Sequence, residues 1–292
     1  MTTEQKQLIK VVLTALGCGL GFFVVFIYLL QPFFRGAIVL PQHVGLGGIN
    51  LQFYGVIIGL AALSAYWLSS KRRSMYEVSA EDADSIYFFV LIFGFIGARI
   101  YHVVSEFGYY VHYPWQSFAV WNGGLSIFGA GLGGVLALVV YKKIYNHYSL
   151  WQLLDWLTPG VVLGQIIGRF GNFVNYELYG SPTNLPWKMF VPPQFRIPTL
   201  ETFQFFHPLF LYEAAGSVVI LVLLLRLKLR SGRLFLLWLL LYNVMRLFLE
   251  NLRANSVIYA GIRVNAVVAL VLALIAISIY VHPNFKPNTP NS

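Results

Sequence analysis

The chain has 292 residues, of which 58% are hydrophobic and only 11% are charged, and its formal net charge is +9 at pH 7. Soluble domains have roughly 45–50% apolar and about 25% charged residues, so this composition excludes a soluble globular protein. Apolar stretches of about 20 residues, the length that a bilayer demands, recur along the whole chain and predict an all-α polytopic membrane protein. The single cysteine, Cys18, excludes intramolecular disulfides and cysteine-ligated metals, and the six histidines lack metal-binding spacing. We therefore predict no metal and no cofactor.

Eight apolar segments predict about eight transmembrane helices. In chain order they are 8–30, 51–70, 86–104, 124–141, 153–176, 207–226, 233–250 and 264–281.

The distribution of basic residues predicts the orientation of these helices. If the N-terminus lies in the cytoplasm, twelve basic loop residues fall on the cytoplasmic side and five on the other: Arg35, Lys188, Arg196, Arg253 and Arg263. The positive-inside rule then places both termini in the cytoplasm. This asymmetry also explains the positive charge without nucleic acid as a partner.

The first segment contains Ala15-Leu16-Gly17-Cys18, which is similar to a lipoprotein signal. Apolar sequence continues through Phe26, however, so we expect a retained anchor helix with Cys18 as a small buried residue.

Three arginines lie inside the predicted spans, where an ionisable group costs about 2.5–3.5 kcal/mol and so suggests a function. Arg99, Arg169 and Arg246 each fall in the later half of a segment that runs outward, so all three should face the outer leaflet. Glu250 and Arg253 share the helix face of Arg246, which is equally compatible with an interhelical ion-pair network of purely structural role.

The fifth segment predicts a polar pocket in the outer leaflet. Gly164 and Gly168 form a small-xxx-small pair that allows a close helix neighbour. Past Arg169, the run 171–175 favours irregular backbone, which a membrane tolerates only beside a cavity or the protein interior. Guanidinium groups around such a pocket suit a phosphate, and Asn or Tyr side chains can hold hydroxyl groups.

Two other stretches are distinctive. The glycine-rich run 121–134 favours tight helix packing over the alternative, a flexible mouth at 122–129. The segment 181–206, rich in proline and aromatic residues, predicts a small folded extracytoplasmic cap.

The run Gly168-Arg169-Phe170-Gly171-Asn172-Phe173-Val174-Asn175-Tyr176-Glu177-Leu178-Tyr179-Gly180 resembles the G-R-x-G-N-F-x-N-x-E-x-x-G signature of the prolipoprotein diacylglyceryl transferase family. Five further stretches follow the family order: 54–55, 97–99, 121–126, 207–213 and 242–253. The resemblance implies a seven-helix core over 35–282, including the cap, preceded by an extra helix in 1–34 and followed by a cytoplasmic tail at 283–292.

The resemblance also implies an activity, namely transfer of the diacylglyceryl group from phosphatidylglycerol to the lipobox cysteine of preprolipoprotein signal peptides, with release of glycerol 1-phosphate. The enzyme would lie in the cytoplasmic membrane, take its substrate from the surrounding membrane lipids, and have its site on the outer side. We assign Arg169, Arg246 and Glu250 to catalysis, together with His102 and His207, which the predicted topology places near the outer boundary. The residues implied in substrate binding are Tyr54, Arg99, Asn172, Glu177, Gly180, Tyr242 and Arg253.

Two departures from the family pattern keep alternatives open. Phe128 stands where the family has a histidine proposed to act in catalysis, and the family's glutamine near the end of the core is replaced around Gly261-Ile262-Arg263. His102 or His207 could replace the missing base, although each has an equally good structural interpretation. The alternatives to an active enzyme are a catalytically inactive paralogue that binds lipid or signal peptides, and a membrane transporter.

Overall fold

The computed structural model describes residues 2–46, 49–120, 123–229 and 231–282, and helices dominate it. The helices are α1 (Thr3–Leu29), α2 (Gln31–Phe34), α3 (Phe53–Arg72), α4 (Ala80–Ser105), α5 (Phe107–His112), α6 (Ile127–Tyr145), α7 (Leu150–Val174), α8 (Leu209–Arg226), α9 (Arg233–Glu250) and α10 (Val264–Val281). Three two-stranded antiparallel pairs lie in the connections: β1 (His43–Leu46) with β2 (Ile49–Gln52), β3 (Met189–Phe190) with β4 (Phe205–Phe206), and β5 (Ile258–Tyr259) with β6 (Ile262–Arg263).

The all-α polytopic prediction is confirmed. Among the described residues, eight helices of 18 residues or more lie at the eight predicted positions. Six of them, α1, α3, α4, α6, α8 and α10, are long and apolar enough to cross a membrane. The other two, α7 and α9, carry the charged side chains described below.

The chain forms two compact units, one of residues 69–156 and one of residues 1–68 with 157–292. In the first, α4 and α6 pack through glycines. A side chain on Gly97 would collide with the Gly129 carbonyl, and one on Gly133 would collide with the Phe93 carbonyl. Within the glycine-rich run, Gly129 and Gly133 therefore allow the tight packing of α6 on α4. Asn122, where the alternative mouth begins, lies outside the described residues, as does Trp121.

In the second unit, α1 packs on α8 along a narrow seam. Ala15 and Gly19 are buried, and Gly19 lies against Val219 and the Ala215 carbonyl. Cys18, which we expected to be buried, is exposed. That prediction was wrong because only one stripe of α1 faces the protein, and Cys18 lies off that stripe.

Helix α3 approaches α7 at the predicted small-residue pair. A side chain on Gly164 would meet the Ala61 carbonyl and Ala65, and one on Gly168 would touch Ile58. The expectation of irregular backbone directly after Arg169 was wrong, since α7 continues to Val174. Regular structure ends there, and Tyr176 and Leu178 then adopt φ values of 52° and 56°.

The segment 181–206, which we predict to be a cap, contains two short strands. Its strands β3 and β4 pair with each other, and Met189, Val191 and Phe206 are buried with Phe34 and Phe210 in one aromatic-rich core. Its place outside the membrane stays a prediction. The predicted tail at 283–292 lies outside the described residues.

Candidate active site

A buried carboxylate, that of Glu213 on α8, joins arginines from two other helices. Its Oε2 lies 2.9 Å from Nε of Arg169 on α7, and its Oε1 pairs with Nη1 of Arg246 on α9. Only 4% of the Glu213 side chain is exposed. A carboxylate so deeply buried needs charged partners. Glu213 therefore fixes two guanidinium groups relative to each other.

Glu250 has the same role further along α9, four residues after Arg246. Its Oε2 lies 3.2 Å from Nη2 of Arg246 and 3.6 Å from Nη1 of Arg253. Its Oε1 accepts a hydrogen bond of 2.8 Å from Ser256. Arg246, Glu250 and Arg253 thus form ion pairs with one another along one face of α9, as their spacing predicts. Three arginines and two glutamates make this ion-pair chain positive by one charge.

Arg169 also binds neutral side chains. Its Nη1 donates to Oδ1 of Asn172 at 3.2 Å, and its Nη2 donates to the hydroxyl of Tyr242 at 2.9 Å. Asn172 in turn donates to Oε1 of Glu177 at 2.9 Å. A guanidinium group has five N–H donors, so after these bonds and the Glu213 pair two donors of Arg169 have no partner among the described residues. Those two donors are free to hold a ligand.

Tyr54, at the start of α3, lies against the same turn of α7. A side chain on Gly171 would come within 2.8 Å of the Tyr54 ring. Gly171 therefore leaves room for the edge of the Tyr54 ring, because any side chain at this position would displace it.

Gly180 has a backbone role. Its N–H donates to the His207 carbonyl at 2.9 Å, and it forms an isolated β-bridge with Arg253. A side chain at this position would collide with His207 and with the Leu252 carbonyl. Gly180 thus brings the chain after α7 close to the end of α9 and to the start of α8.

His207 is held by Tyr212 and, through it, by Trp187. The Trp187 Nε1–H donates to the Tyr212 hydroxyl oxygen at 2.7 Å, and that oxygen lies 3.0 Å from Nδ1 of His207. The Tyr212 hydroxyl, whose oxygen accepts from Trp187, has one proton of its own and can donate it to Nδ1 of His207. The neutral imidazole then carries its own proton on Nε2. Burial lowers the pKa of His207, which also favours the neutral form.

Arg99 and His102 lie in the unit formed by residues 69–156. The Arg99 guanidinium is buried and donates to backbone carbonyls of the following loop: Gln116, Ser117 at 2.8 Å, Gly123 at 2.7 Å and Gly124 at 2.9 Å. The His102 ring lies beside Gly124 and edge-on to Tyr110. Arg99 thus anchors the loop that precedes α6. Phe128 is half-exposed, with its ring 6.1 Å from that of Tyr101.

Two residues of the cluster were not predicted. Glu213 had a clear signal, since it is the one acidic residue in the apolar segment 207–226. Arg263 follows the β5–β6 turn and donates to the backbone carbonyl of Glu250 at 2.5 Å and to Ser256 at 3.0 Å. Nothing in its sequence context indicates this contact, which depends on how α10 returns to α9.

Comparison with known proteins decides the family. The family model described as prolipoprotein diacylglyceryl transferase matches residues 41–282. The chain belongs to the prolipoprotein diacylglyceryl transferase family. Among the curated relatives are three named phosphatidylglycerol–prolipoprotein diacylglyceryl transferase. That of Fervidobacterium nodosum is 36% identical and the match covers 96% of both chains; that of Thermotoga maritima is 35% identical, covering 92% of this chain and 94% of the relative. That of Trichormus variabilis is 37% identical, covering 79% of this chain and 84% of the relative.

Membership of this family makes the chain a multi-pass membrane transferase of lipoprotein biosynthesis. The transporter and the inactive paralogue receive no support from these relatives. The family model begins after α1 and α2. The match to the Fervidobacterium relative, however, covers 96% of this chain and so reaches into α1.

Proposed function

We propose that this chain transfers the diacylglyceryl group of phosphatidylglycerol to the lipobox cysteine of a preprolipoprotein. The cysteine sulfur forms a bond to the glycerol carbon, and the bond from that carbon to the phosphate oxygen breaks. Its electron pair leaves with glycerol 1-phosphate. The observation that supports this reaction is the carboxylate of Glu213 holding Arg169 and Arg246 side by side with a net positive charge.

The two arginines bind the phosphate and stabilise the charge that grows on it. The transition state places new negative charge on the leaving phosphate, and donors fixed beforehand stabilise such charge at little cost in reorganisation. Arg169 is fixed by Glu213, Asn172 and Tyr242, and Arg246 by Glu213 and Glu250. Tyr54 and Glu177 hold the glycerol headgroup beside them.

The same cations help to form the nucleophile. A free thiol has a pKa of about 8.5, which nearby cations lower to about 3.5–7.5. The thiol proton therefore leaves before attack without a strong base. His207 acts as a hydrogen-bond donor through Nε2–H, since its Nδ1 faces the Tyr212 hydroxyl. His102 remains the candidate base, and the absence of a histidine at 128 is compatible with activity.

The reaction takes place on the outer side of the cytoplasmic membrane. Lipid enters the site sideways from the bilayer, and the signal peptide docks beneath the segment 181–206. Both termini lie in the cytoplasm, as the distribution of basic loop residues favours.

The test is a turnover assay of the purified protein with phosphatidylglycerol and a lipobox peptide. We expect the native sequence to form the thioether product, and Arg246→Lys to lose at least tenfold in turnover. A lysine keeps the charge but cannot reproduce the paired contacts to Glu213 and Glu250. Arg226→Lys, at the far end of α8, is the matched control and should retain activity.

Two outcomes would contradict the proposal. One is a native protein without product that becomes active as Phe128→His, since this chain would then be a degenerate family member. The other is normal turnover in Arg246→Lys, which would leave the arginine cluster a purely structural network.

A further inference from the structure

A cavity separate from the arginine cluster lies between the end of α1 and the segment 181–206. It has a volume of about 270 Å³. Two cationic side chains, Arg35 and Lys188, line it together with the amide of Gln31, and no carboxylate of the described residues does. Its apolar wall comes from Ile27, Phe34, Pro186, Trp187 and Phe205.

The cations of this cavity are free to bind a ligand. In the described segments of the chain, the Arg35 guanidinium forms neither a side-chain hydrogen bond nor an ion pair, and Arg35 is exposed. The Lys188 ammonium lies 4.4 Å from the centre of the Phe205 ring, which holds it over the cavity wall without neutralising it. Each donor can therefore bind an anion without breaking a bond within the protein.

The depth of the cavity indicates the class of anion. The uncharged stretch of α1 runs from Val11 to Leu29, 19 residues, and so spans about 28 Å at 1.5 Å per residue. That length matches the hydrocarbon core of about 30 Å, so Gln31 and Arg35, directly after it, lie at headgroup level. Trp187 suits the same level, where amphipathic rings collect.

We propose that this cavity is a second anion site, which binds the phosphate of a phosphoglyceride headgroup or of a free phosphate ester. Arg35 offers paired N–H donors, Lys188 a point charge and Gln31 an amide donor, and the apolar wall lies beside the glycerol carbons. The volume of about 270 Å³ is large enough for a glycerophosphate group but not for acyl chains, which would stay in the bilayer along α1.

The site is tested by counting bound lipid on the purified protein with native mass spectrometry, without turnover. Phosphatidylglycerol is titrated in one arm, zwitterionic phosphatidylcholine in a second, and glycerol 1-phosphate and inorganic phosphate in a third. We expect the Arg35→Gln, Lys188→Gln double variant to lose one class of phosphatidylglycerol site, with at least tenfold weaker affinity. Because Arg35 has no side-chain partner to lose among the described residues, Arg35→Gln alone should fold normally and weaken the same class several-fold.

The matched control is Lys142→Gln, Lys143→Gln, which removes two charges at the C-terminal end of α6 and should bind as the native protein does. Competition by glycerol 1-phosphate or inorganic phosphate would identify the free ester as ligand, and its absence would identify the lipid headgroup. The proposal is overturned if both cavity variants bind phosphatidylglycerol and phosphate like the control. It is also overturned if phosphatidylcholine binds the native protein as tightly as phosphatidylglycerol does and loses the same affinity in the cavity variants. These binding measurements stand independently of whether the transfer reaction occurs.

Discussion

At the scale of single residues, Glu213 is the side chain on which the geometry of the site most depends. Removing its charge leaves Arg169 and Arg246 facing each other without the carboxylate between them. Breaking one partner out of a buried ion pair typically costs about 3–5 kcal/mol, because an uncompensated charge stays buried.

We therefore expect Glu213→Gln to lower the free energy of unfolding by about 3 kcal/mol and turnover by at least tenfold. Chemical unfolding in detergent and the thioether assay measure the two effects. Glu201→Gln is the control, since Glu201 is exposed and its side chain forms no ion pair among the described residues. A Glu213→Gln protein as stable and active as this control would show that the shared carboxylate is dispensable.

Tyr212 decides which nitrogen of His207 carries the proton. We expect Nδ1 to accept the Tyr212 hydroxyl, whose oxygen lies 3.0 Å away, and burial lowers the pKa of the imidazole below its ordinary value of about 6.5. His207 should therefore stay neutral, with its proton on Nε2, as the pH falls from about 8 to about 6.5.

Tyr212→Phe removes the hydroxyl that stabilises this neutral form, so the pKa of His207 should rise and both tautomers should be populated. Nitrogen chemical shifts of the labelled imidazole, followed against pH, measure both changes. Phe23, whose ring packs on Tyr212 at 5.8 Å, offers the control Phe23→Leu, which should leave the tautomer unchanged. A native His207 protonated on Nδ1 at neutral pH would refute this assignment.

At the scale of elements, the packing of α4 on α6 depends on backbone contact. Gly133 has the Phe93 carbonyl where its side chain would be, whereas Gly131, two residues earlier in the same helix, has open space around it. The two glycines form a matched pair, because replacement by alanine should destabilise the protein at Gly133 but not at Gly131.

Gly133→Ala should lower the free energy of unfolding by about 1–3 kcal/mol, as overpacking does in well-packed interiors. Gly131→Ala should leave stability unchanged or raise it by up to about 1 kcal/mol, because alanine favours the helix. Unfolding of both variants in the same detergent provides the comparison. Equal stabilities would mean that α4 and α6 do not approach as closely as the structure shows.

At the scale of the whole molecule, the distribution of basic residues predicts the topology. In a Cys18→Ser background, single cysteines at Lys71 and Lys142 should react only with reagents that reach the cytoplasm, and one at Gln194 only with external reagents. Cys18 lies outside the seam between α1 and α8, so its replacement should leave activity intact. An externally labelled Lys71 would invert the topology and, with it, the assignment of the arginines to the outer leaflet.

The sequence by itself determined the membrane class and the positions of the long helices. Stretches of about 20 apolar residues leave little freedom, since a bilayer demands that length and that composition. The face that carries Arg246, Glu250 and Arg253 also followed from the sequence, because helix geometry fixes which residues three and four apart are neighbours.

Only the tertiary structure decided what each charge touches. Glu213 lies 44 residues after Arg169 and 33 before Arg246, so no local spacing relates them, and the packing of α8 beside α7 and α9 brings them together. The exposure of Cys18 has the same origin, because the stripe of α1 that faces the protein is set by where α8 lies and not by the composition of α1.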